Sequence, residues 1–305
     1  MSDERRVLPR GQHYTGWQFV VDAFRDDPGW TLADRHDKDY THRLTVGLEG
    51  NEGDMTRLQW EAVPDVICIE RQPYGVRNIW PKPLTVMFES FSHSKCKQLS
   101  GFRDGAKVYS KHVKQYRLPD SAKWKINPNK IIVVCLNKCG GWRCSTVAKF
   151  VELFGGIIEE VREKLPDYEI VLRPHPKTRN AHLEGIPKLL KHLKGKGIRV
   201  RSEFPSLAAH AKQARAVVAV WGTAATEFIS RGVPVVNMSK EDPEGFIADP
   251  VALRDVGDVA RLEELKFPMT PREFMQSLAQ HVFTPEEVRA GDMMRYINAY
   301  YDKKN

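Results

Sequence analysis

The sequence predicts an α/β protein of two αβα domains facing a central cleft. Three observations predict it. Short apolar runs of strand length alternate with segments whose apolar residues recur at helical spacing. The apolar runs are continuous, which suits parallel strands covered on both faces. The chain has 305 residues, room for about two domains of ordinary size.

The second half carries the clearer rhythm. Residues 130–136 (KIIVVCL) form a buried-strand run. Within 146–164, Val147, Phe150, Val151, Phe154, Ile157, Ile158 and Val161 share one helical face, and Pro166 closes that helix. Residues 168–172 (YEIVL) are the next strand and run into Arg173-Pro174-His175-Pro176. A basic helix over 187–194 and a short strand over 198–201 follow. The series ends with helix 206–213, strand 216–220, helix 224–230 and strand 233–237. Alternating strands and helices of this kind build a parallel sheet in a Rossmann-like domain.

The first half repeats the pattern less cleanly. It predicts a short strand at 7–9, a helix over 16–24, a strand over 30–33 and a helix over 55–63. Strands at 65–70 (DVICIE) and 84–89 (LTVMFE) come next, with a third over 106–110. The divide falls in 124–129 (WKINPN), a hinge-like linker, which gives domains over 1–126 and 127–285. The tail 270–305 reads as helical in two pieces, with 286–305 a terminal helix carrying Met293, Tyr296, Ile297 and Tyr300.

Composition narrows the class. Apolar residues make up 41% and charged residues 28%, so the chain is globular rather than disordered. No apolar run approaches the length of a membrane span, and the first residues lack a signal-peptide core. A cytoplasmic protein, of a cell or of an infected host, is expected. Five cysteines, an odd number, do not suggest a disulfide framework. Cys135, Cys139 and Cys144 lie close in sequence, but Cys135 falls inside an apolar strand and no partner pair at zinc spacing follows. No metal is expected there. Nothing in the sequence sets an oligomeric state.

The net charge of +8 is unevenly spread. Residues 1–94 carry −4 and residues 95–130 carry +8. Lys95, Lys97, Arg103, Lys107, Lys111 and Lys114 lie in that basic stretch, interleaved with Phe102, Tyr109, Tyr116 and Trp124. Such interleaving suits a polyanion or nucleic-acid surface, the alternative being a solvated face beside a linker.

In open parallel sheets, ligands bind beyond the carboxyl ends of the strands. After 130–136 come Lys138, Gly140, Gly141 and Arg143, then Ser145 or Thr146 as a helix cap. The glycines let the backbone approach an anion, the cations add charge, and the helix amides attract phosphate. After 168–172, two prolines aim His175 among Arg173, Lys177 and Arg179, an arrangement suited to a phosphate oxygen. After 216–220, Gly222, Thr223 and Ala224 turn the chain into a helix with Glu227 in its first turn. Glu227 there either favours the helix dipole or accepts two ribose hydroxyls.

RPHP at 173–176, followed by WGTAATEFISRGVPVV at 221–236, resembles the donor-binding half of glycosyltransferases of the GT-B fold. The likeness is to the His-Pro motif group of capsule, sialyl- and Kdo-transferase-like enzymes, and it covers 130–240. It implies a nucleotide-sugar donor, a UDP- or CMP-sugar, and no required metal. It implies that His175 and Thr223 contact the nucleotide phosphate and that Glu227 holds the ribose. Gly222-Thr223 stands where the group often has two serines. By the same resemblance, the terminal helix crosses back to the first, acceptor-binding domain. Asp37-Lys38-Asp39 spells the metal-binding D-x-D of the other glycosyltransferase fold, but no apolar strand leads into it, so it reads as a charged loop.

An inverting transfer needs a base from the first domain to take the acceptor hydroxyl's proton. Glu89 and Glu70 stand at predicted strand ends and His13 lies in the first loop, GQHYTG. The acceptor reads either as a glycan or as a hydroxymethylated DNA base, which would need base flipping and a phosphate-gripping surface. Two other readings stand beside transfer: a nucleotide-sugar 2-epimerase, since such enzymes share parts of the motif, and a non-catalytic nucleic-acid or glycan binder on the same scaffold.

Overall fold

The computed structural model describes residues 5–10, 18–33, 41–46, 65–71, 84–88, 101–137, 139, 144–175, 185–203, 206–220, 224–238 and 251–304. The chain forms two compact units, Met1–Leu118 with Met275–Asn305, and Pro119–Phe274. The divide falls eight residues before the 126/127 boundary expected from the sequence, and the C-terminal part of the first unit starts at Met275 rather than at 286. No helix among the described residues is long and apolar enough to cross a membrane.

The second unit is built on five parallel strands: β6 (Ile131–Cys135), β7 (Glu169–Arg173), β8 (Arg201–Ser202), β9 (Ala216–Ala219) and β10 (Val235–Asn237). They lie in the order β10-β9-β6-β7-β8, so the chain starts in the middle, builds outward one way and then crosses to the other. Ile132 faces both Ile170 on β7 and Ala216 on β9. Intervening helices are α3 (Val147–Lys164), α4 (Gly185–Gly195), α5 (Leu207–Gln213) and α6 (Ala224–Ser230).

Strand alternation explains the layers. Ile132, Val134, Ile170, Leu172 and Val218 share a core with Phe150, Phe154, Ile158 and Val161 of α3 and Leu189 and Leu193 of α4. Val133, Val171, Val217 and Val235, in the opposite phase, are also wholly buried. Both faces are therefore covered, as continuous apolar strands require. Thr146 caps α3, its hydroxyl accepting the Lys149 N–H at 3.2 Å. The predicted strand at 198–201 shifts to Arg201–Ser202: Ile198 and Val200 pack on the core without joining the ladder.

The first unit holds a six-stranded sheet in the order β11-β5-β4-β3-β1-β2. Its strands are β1 (Arg5–Arg10), β2 (Trp30–Leu32), β3 (His42–Val46), β4 (Asp65–Arg71), β5 (Leu84–Phe88) and β11 (Val282–Phe283). β1 to β4 are parallel, while β5 runs antiparallel to β4 and β11 antiparallel to β5. The sheet is therefore mixed at one edge, and β3 is a strand the sequence did not disclose. The helix expected at 16–24 is α1 (Gln18–Asp26). The one expected at 55–63 lies outside the described residues.

The stretch 106–110, expected as a strand, belongs to the helix α2 (Gly105–Tyr116). Gly105, Tyr109, His112 and Tyr116 are its buried residues, a spacing of four, three and four that only a helix aligns. Asp104 caps it, accepting the Lys107 N–H at 3.1 Å. The tail differs from a pair of helices too. Helix α7 (Pro271–Ala279) gives way to β11, then come α8 (Pro285–Arg289) and α9 (Asp292–Lys304). Met293, Tyr296, Ile297 and Tyr300 of α9 complete a core with Val7, Phe24, Leu44, Ile67 and Val86. Each buried side chain of this size contributes about 2 kcal/mol, so the C-terminal segment is integral to the first unit.

Gly232 ends α6 with φ +85°, and its N–H donates to the Ile229 carbonyl at 2.7 Å. The segment 121–125 lies directly on this turn: the Lys125 N–H donates to the Gly232 carbonyl at 2.7 Å. A Cβ at Gly232 would stand 2.7 Å from the Lys123 carbonyl oxygen. Gly232→Ala combines that overlap with a left-handed backbone and is expected to cost about 2–3 kcal/mol. Urea unfolding with an unchanged midpoint would contradict this packing.

Candidate functional site

The order of the second sheet reverses at β6, between β7 and β9, and a crevice opens beyond the carboxyl ends of strands at such a point. Three segments end there. The Leu136 N–H donates to the Arg173 carbonyl at 2.9 Å, tying the exits of β6 and β7 together. On β9 the exit leads through Val220 towards α6.

Alternation places Cys135 with Val133, and Arg173 with Val171, on the face opposite α3. Electrostatics confirm the neighbourhood. Burial pushes the Cys135 thiol up to about 12; the Arg173 guanidinium pulls it down and the Glu227 carboxylate pushes it further up. Arg173 and Glu227 therefore both act on the thiol at the end of β6. Arg173 is only 6% exposed. Glu227, in the first turn of α6, has a 13% exposed side chain, and Arg231 one turn on stands 3.6 Å from it. Its neighbour Thr226 is fully buried.

His210 of α5 is a further member of this cluster. It is fully buried, and neither ring nitrogen has a hydrogen-bond partner. Burial, with the Arg173 and Arg201 guanidinium groups, pushes its imidazole down to about 4. His210 is neutral at pH 7 and adds no second positive charge beside Arg173. Sequence reasoning missed it. The apolar phase of α5, Leu207 to His210, was the available signal.

A buried cation and a carboxylate at a strand's carboxyl edge are suited to a phosphate and a vicinal diol, respectively. Arg173 and Glu227 both lie within electrostatic reach of Cys135, half-buried His175 stands two residues beyond Arg173, and α6 starts at Ala224. Lys138, Gly140, Gly141, Arg143, Lys177, Gly222 and Thr223 lie outside the described residues, as do Glu89 and His13. Glu70 stands next to last in β4, opposite Thr85 of β5. Cys139 and Cys144 are core residues, and Cys135, Cys139 and Cys144 are not joined in disulfides. Among the described residues, no three His, Cys, Asp or Glu side chains gather to hold a metal ion.

The basic stretch resolves into two kinds of residue. Lys107, Lys111 and Lys114 project from α2 opposite its buried face, all exposed. Arg103 turns inward: it stands 3.0 Å from Glu287 and donates to the Val282 carbonyl at 2.6 Å. It is not part of an exposed polyanion surface. Lys95 and Lys97 lie outside the described residues. Of the four aromatics Phe102 is exposed, and the other three are committed elsewhere. Tyr109 and Tyr116 are buried, and Trp124 stacks on Phe267 at 4.5 Å and donates to the Met269 carbonyl at 3.1 Å.

Stability should report the neutral His210. Its folded value lies below the unfolded one near 6.5, so the unfolded chain binds the extra proton. The stability this burial permits is whole above about pH 6.5 and declines as pH falls towards about 4, by about 3 kcal/mol. His210→Leu, which removes two unsatisfied nitrogens, is expected to keep or raise stability at pH 7 and to flatten that acid decline. Urea titrations at several pH values measure both; an unaltered pH slope would show that His210 is not the group responsible.

No protein-family model matches the sequence, and no curated protein matches it. Among solved structures, the chain is similar to the β-Kdo 2,7 transferase of Thermosulfurimonas dismutans KpsC. That likeness covers 97% of this chain and 100% of that one, with a TM-score of 0.50 and 14% identity. It is a likeness of fold, the two Rossmann-like α/β units of the GT-B architecture. Two weaker likenesses are to the β-Kdo 2,4 transferase of the same KpsC, covering 90% of both chains at 11% identity and a TM-score of 0.49, and to a Methanocaldococcus jannaschii UDP-GlcNAc 2-epimerase in complex with UDP-GlcNAc and UDP. The latter covers 97% of this chain and 99% of that chain at 12% identity, with a TM-score of 0.35.

Proposed function

We propose that the chain is a glycosyltransferase that moves a sugar from a nucleotide-sugar donor, a UDP- or CMP-sugar, to an acceptor hydroxyl. The approach of both Arg173 and Glu227 to Cys135 at the end of β6 supports this reading. It puts a fixed cation and a carboxylate where a doubly wound sheet binds its ligand.

In this reading Glu227 accepts both ribose hydroxyls. Arg173, His175 and the loop residues Lys138, Arg143 and Lys177 face the phosphates. Backbone amides at Gly140, Gly141, Gly222, Thr223 and Ala224 complete the cradle, with the Thr223 hydroxyl as a further donor. The acceptor oxygen attacks the anomeric carbon as the bond to phosphate breaks. The proton passes to a base of the first unit, Glu89, Glu70 or His13, and the configuration inverts. Charge released on the leaving nucleotide is met by these cations and amides, so the proposal needs no metal. Three cysteines outside any disulfide suit a reducing cytoplasm.

The acceptor is a glycan or a hydroxymethylated DNA base. Burial of Tyr109 and Tyr116 and the stacking of Trp124 on Phe267 favour the glycan, because none of these rings is free to stack on a base.

Thermal unfolding with a panel of nucleotides and nucleotide sugars tests the donor site. The right nucleotide at a hundred times its Kd should raise Tm by about 5–10 °C. Glu227→Gln should weaken binding roughly 10- to 100-fold, having lost a charged acceptor for the diol. No shift with any nucleotide would refute the proposal. Conversion of a donor, incubated alone, into a new nucleotide sugar would assign the site to epimerisation instead.

A further inference from the structure

We propose that α2 is a docking surface for an anionic lipid bilayer. Its buried residues Gly105, Tyr109, His112 and Tyr116 form one stripe. At about 100° per residue, Lys107, Lys111 and Lys114 fall on the opposite side; Lys107 and Lys114 project outward, while Lys111 turns to the buried Glu287. They form a row about 10 Å long. Arg117, also exposed, follows at the C-cap. Exposed acids flank the row: Asp104 stands 3.5 Å from the Lys107 ammonium, Glu286 acts on Tyr116, and Asp120 follows the C-cap.

The row has a rigid base. Glu287 at the start of α8 is buried, and burial alone would raise its carboxyl. The His112 imidazole 3.8 Å away, a hydrogen bond from the Thr284 amide, the Arg103 charge and a hydrogen bond from Lys111 outweigh this and hold it well below the usual carboxylate range. Lys111 reaches Glu287 at 3.0 Å while its side chain stays 57% exposed, and Arg103 holds the same carboxylate from within. α2 is therefore pinned to α8 with Lys107 and Lys114 outward.

An exposed aromatic distinguishes a bilayer from other polyanions. Phe102, immediately before Arg103 at the start of this element, is 41% exposed and is the one exposed large hydrophobic side chain among the described residues. Its ring meets the buried Tyr296 edge-on at 5.6 Å, which fixes its direction. An exposed aromatic three residues before a lysine-bearing helix has the chemistry of a membrane interface: ammonium groups meet lipid phosphates while a partly exposed ring can enter the acyl boundary. A nucleic acid would need several free rings to stack on, and Tyr109 and Tyr116 are buried. Docking does not depend on the sugar-transfer reading; if both hold, the acceptor is carried on a lipid.

Sedimentation of the full chain with vesicles of phosphatidylglycerol and phosphatidylcholine, against pure phosphatidylcholine, tests this. Binding should require the anionic lipid and weaken as salt rises. Lys107→Gln with Lys114→Gln should lower the partition about 30-fold, roughly fivefold for each lysine. Phe102→Ser should lower it several-fold with little change in salt dependence. All three positions are exposed, and an unchanged melting curve certifies the fold. Equal binding to both vesicle types, or variants that bind like the parent chain, would overturn the proposal. So would binding to duplex DNA without binding to vesicles. Loss of vesicle binding leaves nucleotide-induced stabilisation untouched, so this test and that of the donor site fail separately.

Discussion

The parallel pairing of β6 with β7 on one side and β9 on the other is the constraint on which the second unit depends. A strand paired on both edges cannot slide without breaking two ladders. Its carboxyl end therefore sits at a fixed point between two neighbours reached by different routes along the chain. Arg173 arrives from β7 and Glu227 from the helix after β9. Neither needs the other in sequence, and both are delivered to Cys135 by the ladder. The point at which they arrive is a property of the strand order.

Burying an arginine there creates an electrostatic problem, which the surroundings solve locally. Arg173 sits among apolar residues at 6% exposure, where an uncompensated charge is costly. Glu227 supplies opposite charge at the same strand end, and the nearby His210 remains neutral because burial and the two arginines oppose its protonation. The first unit solves the mirror-image problem around Glu287. There a buried carboxylate is surrounded by Arg103, Lys111 and His112, at 3.0, 3.0 and 3.8 Å. That cluster joins α2 to α8 and thereby ties residues 103–112 to the C-terminal segment that completes the sheet and its core. The lysines left outside it are the ones free to meet another surface.

Legibility followed how strongly local pattern dominated. Helix α3 was readable because seven apolar residues kept one face over five turns and Pro166 ended it. Strands β6, β7 and β9 were readable because burial on both faces leaves them continuously apolar. β3, HRLTV, was not, since polar and charged residues occupy alternate positions and only the neighbours β1 and β4 reveal its pairing. Residues 106–110 alternate apolar and polar over too short a window, and the helical stripe emerges only when Gly105, His112 and Tyr116 are included. β11 has two residues, and nothing within them specifies that they pair with β5 some two hundred positions away.

By itself the sequence determined the two-part α/β architecture, the alternation of elements in the second unit, and the candidates Arg173, His175 and Glu227 at strand ends. These follow from periodicity and turn chemistry, which act over a few residues. Tertiary structure alone decided that Arg173 and Glu227 share Cys135 as a neighbour, that His210 lies beside them without partners, and that Arg103 faces inward while Lys107 and Lys114 face out. It alone decided that the C-terminal segment completes the first sheet and core. The physical reason is common to all of these: charge, burial and strand pairing depend on which distant residues arrive at a point in space, and local propensity contains no record of that.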